Sequence, residues 1–300
     1  MAQPPENFSM TPEQIAQMQS KQDNPLSNYL RQPAIYVKLP SNGKYWYPGT
    51  LEMPVSGELP VLPMSTKDEI MLNTPDALLN GEAVVSMIQS CMPNIKNAWA
   101  IPSVDLDTIL IAIRIASYGE QMEYTSKCPK CENTDNYEID LRQFLDMPVD
   151  LSGYESAFEY KGIGVWLKPI DYDSMNKQNL EQFEQQRLIT MVNDTTLDEA
   201  EKQRRFQEIF KILTQYTVQN VVGSIEKLVS PEGVTVLDYN HILEFVENSE
   251  RTFYTHVKDK LTEIKNNFPD KTVTTTCDSC KEQYATPFTF DQSNFFAFAS

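Results

Sequence analysis

Four of the chain's five cysteines fall in two Cys-x-x-Cys pairs, Cys128-Pro-Lys-Cys131 and Cys277-Asp-Ser-Cys280. A Cys-x-x-Cys turn aims two sulfurs at one point. Two such turns supply four soft thiolates, the shell that a structural zinc takes at tetrahedral corners with metal–sulfur distances of about 2.3 Å, leaving no open position for water. Cys128, Cys131, Cys277 and Cys280 are therefore the expected ligands of a structural Zn2+. The separation is unusual: 145 residues lie between the pairs, against about 15–20 in common zinc modules. Chain entropy tolerates this. Each doubling of a loop costs about 0.6 kcal/mol, so a roughly eightfold longer loop costs about 2 kcal/mol more, while zinc contributes roughly 10–16 kcal/mol in small structural sites. A redox dithiol, a disulfide and ordinary thiols are the competing readings. The first needs a thioredoxin-like strand–helix context, which neither pair has. The fifth cysteine, Cys91, falls with Val84, Val85, Met87 and Ile88 on a predicted helix and reads as a small core residue.

Short strands must hold the two turns. Met122–Ser126 and Tyr137–Leu141 flank the first pair; Thr272–Thr276 and Tyr284–Phe290 flank the second. All are rich in Thr, Tyr, Val, Ile or Phe, as strands should be. Just before the first hairpin lies the most apolar run of the protein, Val104 to Ala116, interrupted only by Asp105, Asp107, Thr108 and Arg114. It predicts a helix with Asp105 as N-cap, Asp107 in the first turn where the dipole favours negative charge, and Gly119 as the stop. A helix apolar on nearly all sides is a buried one. Its length falls short of the roughly 20 residues a bilayer needs.

Other chemistry is poorly represented. The two histidines, His241 and His256, sit on predicted helices and read as surface or packing residues. Gly162-x-Gly164 suits a hairpin turn, and no Gly-x-Ser-x-Gly elbow is present. Asp171-Tyr172-Asp173 stands where a helix should begin. No catalytic or cofactor-binding residues are expected, and the chain reads as a non-enzyme. With 300 residues, 41% of them apolar, a sizeable core is within reach. The net charge of −17, about two units more negative with a four-thiolate zinc, disfavours nucleic acid and anionic membranes and favours partners with neutral or basic faces. The N-terminus lacks a charged-then-apolar leader, and no segment has the length of a membrane span. Thiols of zinc type without such a leader suit a reducing cytoplasm.

In chain order, residues 1–33 read as a flexible N-terminal arm with a short helix from Thr11 to about Gln22. Residues 34–145 hold β-hairpins, the core helix and the first zinc knuckle. Ile35–Leu39 and Lys44–Tyr47 are predicted to pair around Asn42-Gly43, and Leu51–Met53 with Glu58–Leu62 around Ser56-Gly57. Ser65 is expected to cap a helix with Asp68 or Glu69 in its first turn, followed by short helices at about 75–80 and 82–92. Residues 146–170 form a β-hairpin linker turning at Lys161–Gly164. Residues 171–268 read as an inserted helical bundle, with helices at about 172–192, 197–216, 218–229, 238–248 and 250–267. In the second, Phe206, Ile209, Phe210 and Leu213 form one apolar stripe. Residues 269–300 carry the second knuckle and an aromatic tail with Phe295, Phe296 and Phe298. The fold class is α+β: a β-rich N-terminal part with a buried core helix, a four-cysteine zinc ribbon closed by distant knuckles, and an inserted helical bundle.

Three sequence blocks and the first cysteine turn occur in a fixed order. They are Leu39-Pro40-Ser41-Asn42-Gly43-Lys44-Tyr45, then Pro63-Met64-Ser65-Thr66-Lys67-Asp68-Glu69, then Ile111-Ala112-Ile113-Arg114-Ile115-Ala116-Ser117-Tyr118-Gly119, followed by Cys128-Pro129-Lys130-Cys131. In this order, within about residues 35–145, the chain resembles the baseplate hub protein family of T-even-type, contractile-tailed bacteriophages. The resemblance implies a component needed to build the central hub of the tail. Its partners would be other phage baseplate or tail proteins, with no nucleic acid, no membrane span and no small-molecule substrate. It would work in the host cytoplasm during assembly, and the resemblance leaves open whether it stays in the virion tail baseplate. The alternative is a zinc-ribbon adaptor or assembly chaperone that binds protein clients and is absent from the mature particle; a metal-dependent hydrolase is a distant third.

Overall fold

A helix that is apolar on every side needs neighbours on every side, and the architecture is built to provide them. The computed structural model describes residues 26, 29–74, 81–179 and 199–288, and from Pro33 onward the chain forms one compact unit. The expected arm helix near Gln22, the short helix at 75–80, the continuation of the helix at 172–192 past residue 179, and Phe295, Phe296 and Phe298 lie outside the described residues. The fold is mixed α+β with small sheets. Among the described residues no helix is long and apolar enough to cross a membrane.

Strands β1 (Ile35–Val37) and β2 (Leu59–Val61) pair antiparallel, Ile35 opposite Val61. Helices α1 (Thr66–Leu72), α2 (Glu82–Cys91) and α3 (Ser103–Tyr118) follow. The core around them takes Val37, Leu59 and Val61 from the strands, Met87, Ile88 and Cys91 from α2, and Ile109, Ile111 and Ile113 from α3. Eleven residues of α3 are buried, Asp105 and Arg114 among them. The hairpin β3 (Gln121–Lys127) with β4 (Thr134–Asp140) leaves α3 through Gly119, whose φ of 89° suits a residue without Cβ.

The two early hairpins differ from expectation. Pro40 to Trp46 is a run of turns, with Asn42 and Gly43 at positive φ, and not a return strand. Strand β1 pairs across to β2, and Leu51 bridges to Ile95. The reason is the carboxylate of Asp105. It lies inside the first turn of α3, not at its cap, which is Pro102. It accepts from Ser41 N at 2.8 Å, Ser41 Oγ at 2.5 Å and Trp46 Nε1 at 2.8 Å. Burial raises its pKa, against the pull of the Ser41 and Trp46 donors. Three donors on one buried carboxylate fix the 41–46 segment as a clasp over the start of the core helix.

A second clasp grips the other end. Met64 N donates to Ser117 Oγ at 2.9 Å, and Tyr118 OH donates to Glu69 at 3.1 Å. Helix α1 opens on a full capping box: Ser65 Oγ accepts from Asp68 N, and Ser65 N donates to Asp68 Oδ2 at 2.8 Å. Ser90 Oγ also donates to Asp68. Replacing Ser65 by alanine should cost about 1 kcal/mol, a fall in Tm of about 2–4 °C for a chain of this size. Thermal melting checks it, and an unchanged Tm would mean that the box adds nothing in solution.

The second core is drawn, apart from Val104 of α3, from residues beyond 150. Strands β5 (Phe158–Tyr160), β6 (Ile163–Leu167), β7 (Ile225–Val229) and β8 (Thr235–Val236) form one antiparallel sheet in that order. Helices α4 (Glu199–Gly223), α5 (Tyr239–Asn248) and α6 (Arg251–Asn266) accompany it. Val165, Leu167, Val222, Ile225, Leu228, Phe253 and Val257 are buried together. The span expected as helix at 218–229 breaks at Gly223: Ser224 N still donates to Asn220 O, and the chain then extends. Ile225 and Leu228 bury on one side as Val165 and Leu167 complete the other half of the sheet. Short periods of Ile, Leu and Val do not separate helix from strand, and here a cross-strand partner 60 residues earlier decides. The two cores are tied where Ser103 N donates to Ile170 O and Tyr172 N to Ile101 O.

Candidate metal centre

Strands β9 (Thr272–Thr276) and β10 (Gln283–Pro287) form the last hairpin. Its turn and that of β3–β4 are built alike. In the first, Lys127 pairs with Thr134; in the second, Thr276 pairs with Gln283. Cys128 N donates to Asn133 O and Glu132 N to Cys128 O; Cys277 N donates to Glu282 O and Lys281 N to Cys277 O. The residue after each second cysteine, Glu132 and Lys281, has φ 59°. Such a left-handed residue is uncommon outside glycine, and its appearance at matching positions marks two copies of one turn. Neither the reversal of the chain nor the aim of the sulfurs depends on a long-range contact, so the local sequence suffices for each half.

Packing brings the halves together. Ser126 Oγ and Thr286 Oγ1 are 3.0 Å apart, Tyr284 OH donates to Ser126 Oγ, and Lys130 Nζ meets Glu282 Oε2 at 2.6 Å. Deeper in, Phe144 stacks on Phe288 with ring centres 5.0 Å apart, and Val273 joins Ile139 and Met122 in the first core. Lys271 pairs with Asp107 of the core helix, so the residue expected to serve the helix dipole also anchors the final hairpin. None of these pairings has a signal in the sequence: the partners stand about 150 residues apart, and single Ser, Thr, Lys and Glu residues carry no spacing.

The result is a cluster of the four sulfurs Cys128, Cys131, Cys277 and Cys280, all within 4.8 Å of one another. Cys128 and Cys280 sulfurs are 3.7 Å apart, Cys131 and Cys277 sulfurs 3.5 Å. A tetrahedron with metal–sulfur bonds of about 2.3 Å has edges of about 3.8 Å. A disulfide needs about 2.0 Å. The distances therefore suit four sulfurs around one cation and not a covalent pair. Cys128 and Cys277 are buried, Cys280 is half-buried and Cys131 is exposed.

The electrostatics point the same way. Backbone N–H groups of Cys131 and Lys130 donate to the Cys128 sulfur and bring its thiol down to about 7, despite burial. At Cys131 the N–H of Asn133 pulls in the same direction, but partial loss of water beside the other sulfurs and shared protons with Cys277, Cys280 and Cys128 overcome it and push the thiol up to about 12. Sulfurs this close cannot all ionise without a positive charge between them. A divalent ion would supply that charge, and backbone N–H donors aimed at sulfur would stabilise bound thiolate.

The histidines are elsewhere. His241 is exposed in the first turn of α5, its N–H donating to Asp238. His256 Nδ1 lies 2.6 Å from Thr252 O, its ring against Tyr160. Asp171 caps the helix that opens at Tyr172 by accepting from Ser174 N at 2.9 Å. Cys91 is packed in the first core, apart from the four clustered sulfurs.

A family model described as T4 bacteriophage base plate protein matches residues 33–297. The match contains both knuckles and runs through residues 146–268, where none of the motif blocks lies. No curated protein and no solved structure matches the chain.

Proposed function

The chain belongs to the T4 bacteriophage base plate protein family, and on that premise we propose that it is a non-enzymatic structural or assembly component of the tail baseplate hub, held together by one structural zinc. The family places it among structural components of the phage baseplate, with other tail proteins as partners. The single observation that carries the finer reading is the sulfur cluster: Cys128, Cys131, Cys277 and Cys280 would hold Zn2+, which would supply a closed four-thiolate cross-link and no open coordination position. The two hairpins then become a zinc ribbon whose halves come from opposite ends of the chain. Every residue between them is a loop fastened at both ends.

That arrangement suits a building block. On this reading residues 34–145 and 269–300 form the frame, 146–170 and 171–268 together form the excursion between the knuckles because their strands share one sheet, and 1–33 remain an arm for a neighbour. The charge of −17 directs the free surfaces to neutral or basic partner faces and away from nucleic acid. The chain would act in the host cytoplasm while the hub is built. Mass spectrometry of purified particles tests retention: the subunit is expected in mature tails at a fixed ratio to other hub proteins. Its absence there, with presence in assembly intermediates, would replace the structural role by that of an assembly chaperone or adaptor.

A further inference from the structure

Helix α4 carries Phe206 and Phe210 one turn apart, and both are exposed, at 46% and 59%. Their rings stack on each other with centres 6.1 Å apart and planes 12° from parallel. They form one wall of a groove of about 710 Å³ that continues over Val218 to Leu243 of α5. Two adjacent phenylalanines on a helix surface cost solvation that a polar residue at either position would avoid. Two charges border the groove, Lys211 of α4 and Glu247 of α5. Neither has an ion-pair partner among the described residues.

We propose that this groove is a homodimer interface, occupied by the same groove of a second copy across a two-fold axis. The charges select that occupant. A two-fold contact is self-complementary: what residue i meets, the partner's residue i meets in return. One unpaired cation and one unpaired anion on the rim satisfy that condition, Lys211 of each copy facing Glu247 of the other. The rim is also neutral, in a chain of net charge −17, so here two copies approach without the repulsion that the remaining surface imposes. The rings supply the apolar centre of that contact. A phenylalanine offers about 200 Å², so the exposed parts of the two rings bring roughly 200 Å² per copy. That is about two fifths of the roughly 1,000 Å² total that a specific interface needs, before Val218, Leu243 and the rim are counted.

Sedimentation velocity on the full chain at micromolar concentration tests this. The wild type is expected as a dimer. Phe210→Glu should be a monomer with unchanged far-ultraviolet circular dichroism. Lys211→Glu and Glu247→Lys, each alone, should raise the dimer Kd about tenfold or more, and the double variant K211E/E247K should return it to near the wild-type value. A monomeric wild type overturns the proposal, including a monomer whose groove captures a helix of another tail protein. A dimer that survives Phe210→Glu, or two single charge variants that dimerise like the wild type, overturns it as well.

Discussion

Serine at Cys128 or Cys277 is expected to abolish zinc binding and melt the paired hairpins, while serine at Cys91 leaves the zinc in place. Each ligand variant removes a thiolate that is fully buried and leaves three sulfurs within 4.8 Å. Zinc in small structural sites is worth roughly 10–16 kcal/mol, the same size as the whole stability of a domain, about 5–15 kcal/mol. The loss falls first on β9–β10. That hairpin has five residues per strand, and an isolated two-stranded hairpin is marginal in water. What remains to hold it is Val273 in the first core, the Phe288–Phe144 stack, the contacts of Ser126 with Thr286 and Tyr284, and the Lys271–Asp107 and Lys130–Glu282 pairs. Surface pairs of the last kind contribute about 0–1 kcal/mol. At Cys91 the change places a hydroxyl in the first core, costing about 1–3 kcal/mol. Zinc content of freshly purified protein, with limited proteolysis near residue 270, separates the cases. One zinc per wild-type chain is expected, with none in the Cys128 and Cys277 variants. Equal damage from all three serine variants, or a wild type isolated without metal, would sink the ligand assignment.

The second large effect is expected at Asp105→Ala. Its carboxylate is fully buried and accepts two hydrogen bonds from Ser41 and one from Trp46. Alanine leaves those three donors, all on the 41–46 segment that closes the core helix, without an acceptor. A buried donor left unsatisfied costs about 1–3 kcal/mol, and the relaxation of an exposed loop recovers part of the sum. A net loss of about 3–5 kcal/mol follows, visible as a fall in Tm and as faster amide exchange at Ser41, Gly43 and Lys44. Asp107→Ala is the control. Its pair with Lys271 is partly exposed, the side chains 42% and 27% accessible, and its loss should cost less than about 1 kcal/mol. Similar losses at the two aspartates would show that the clasp over α3 does not depend on Asp105.

The same aspartate shows where local reading stopped. Asp105 ahead of an apolar run is a good N-cap in any peptide, and one turn of helix cannot distinguish a cap from a buried acceptor three residues further in. Ser41 and Trp46, about 60 residues away, make the distinction. Asn42-Gly43 signalled a turn correctly, but turn chemistry fixes only the reversal of the chain, not the strand that follows. The donors drawn to Asp105 hold Lys44–Trp46 as turns, and β1 takes β2 as its partner instead. At Ile225–Val229 the apolar residues suited either period, and the free edge of β6 chose strand.

What the sequence determined by itself is everything that depends on near neighbours. It fixed the two knuckles, whose hydrogen bonds close within six residues, the capping box at Ser65, the glycine stop at Gly119 and the burial of a helix with no polar side. The order of its motif blocks also pointed to the family. Tertiary structure alone decided what joins distant segments: that four sulfurs from opposite ends of the chain come within 4.8 Å of one another, that Asp105 serves a loop, and that Phe206 and Phe210 stay exposed. The physical reason is the range of the forces. Backbone geometry and capping act over one turn and are written in consecutive residues, whereas burial and ion pairing depend on which surfaces meet, and that is set only when the whole chain has packed.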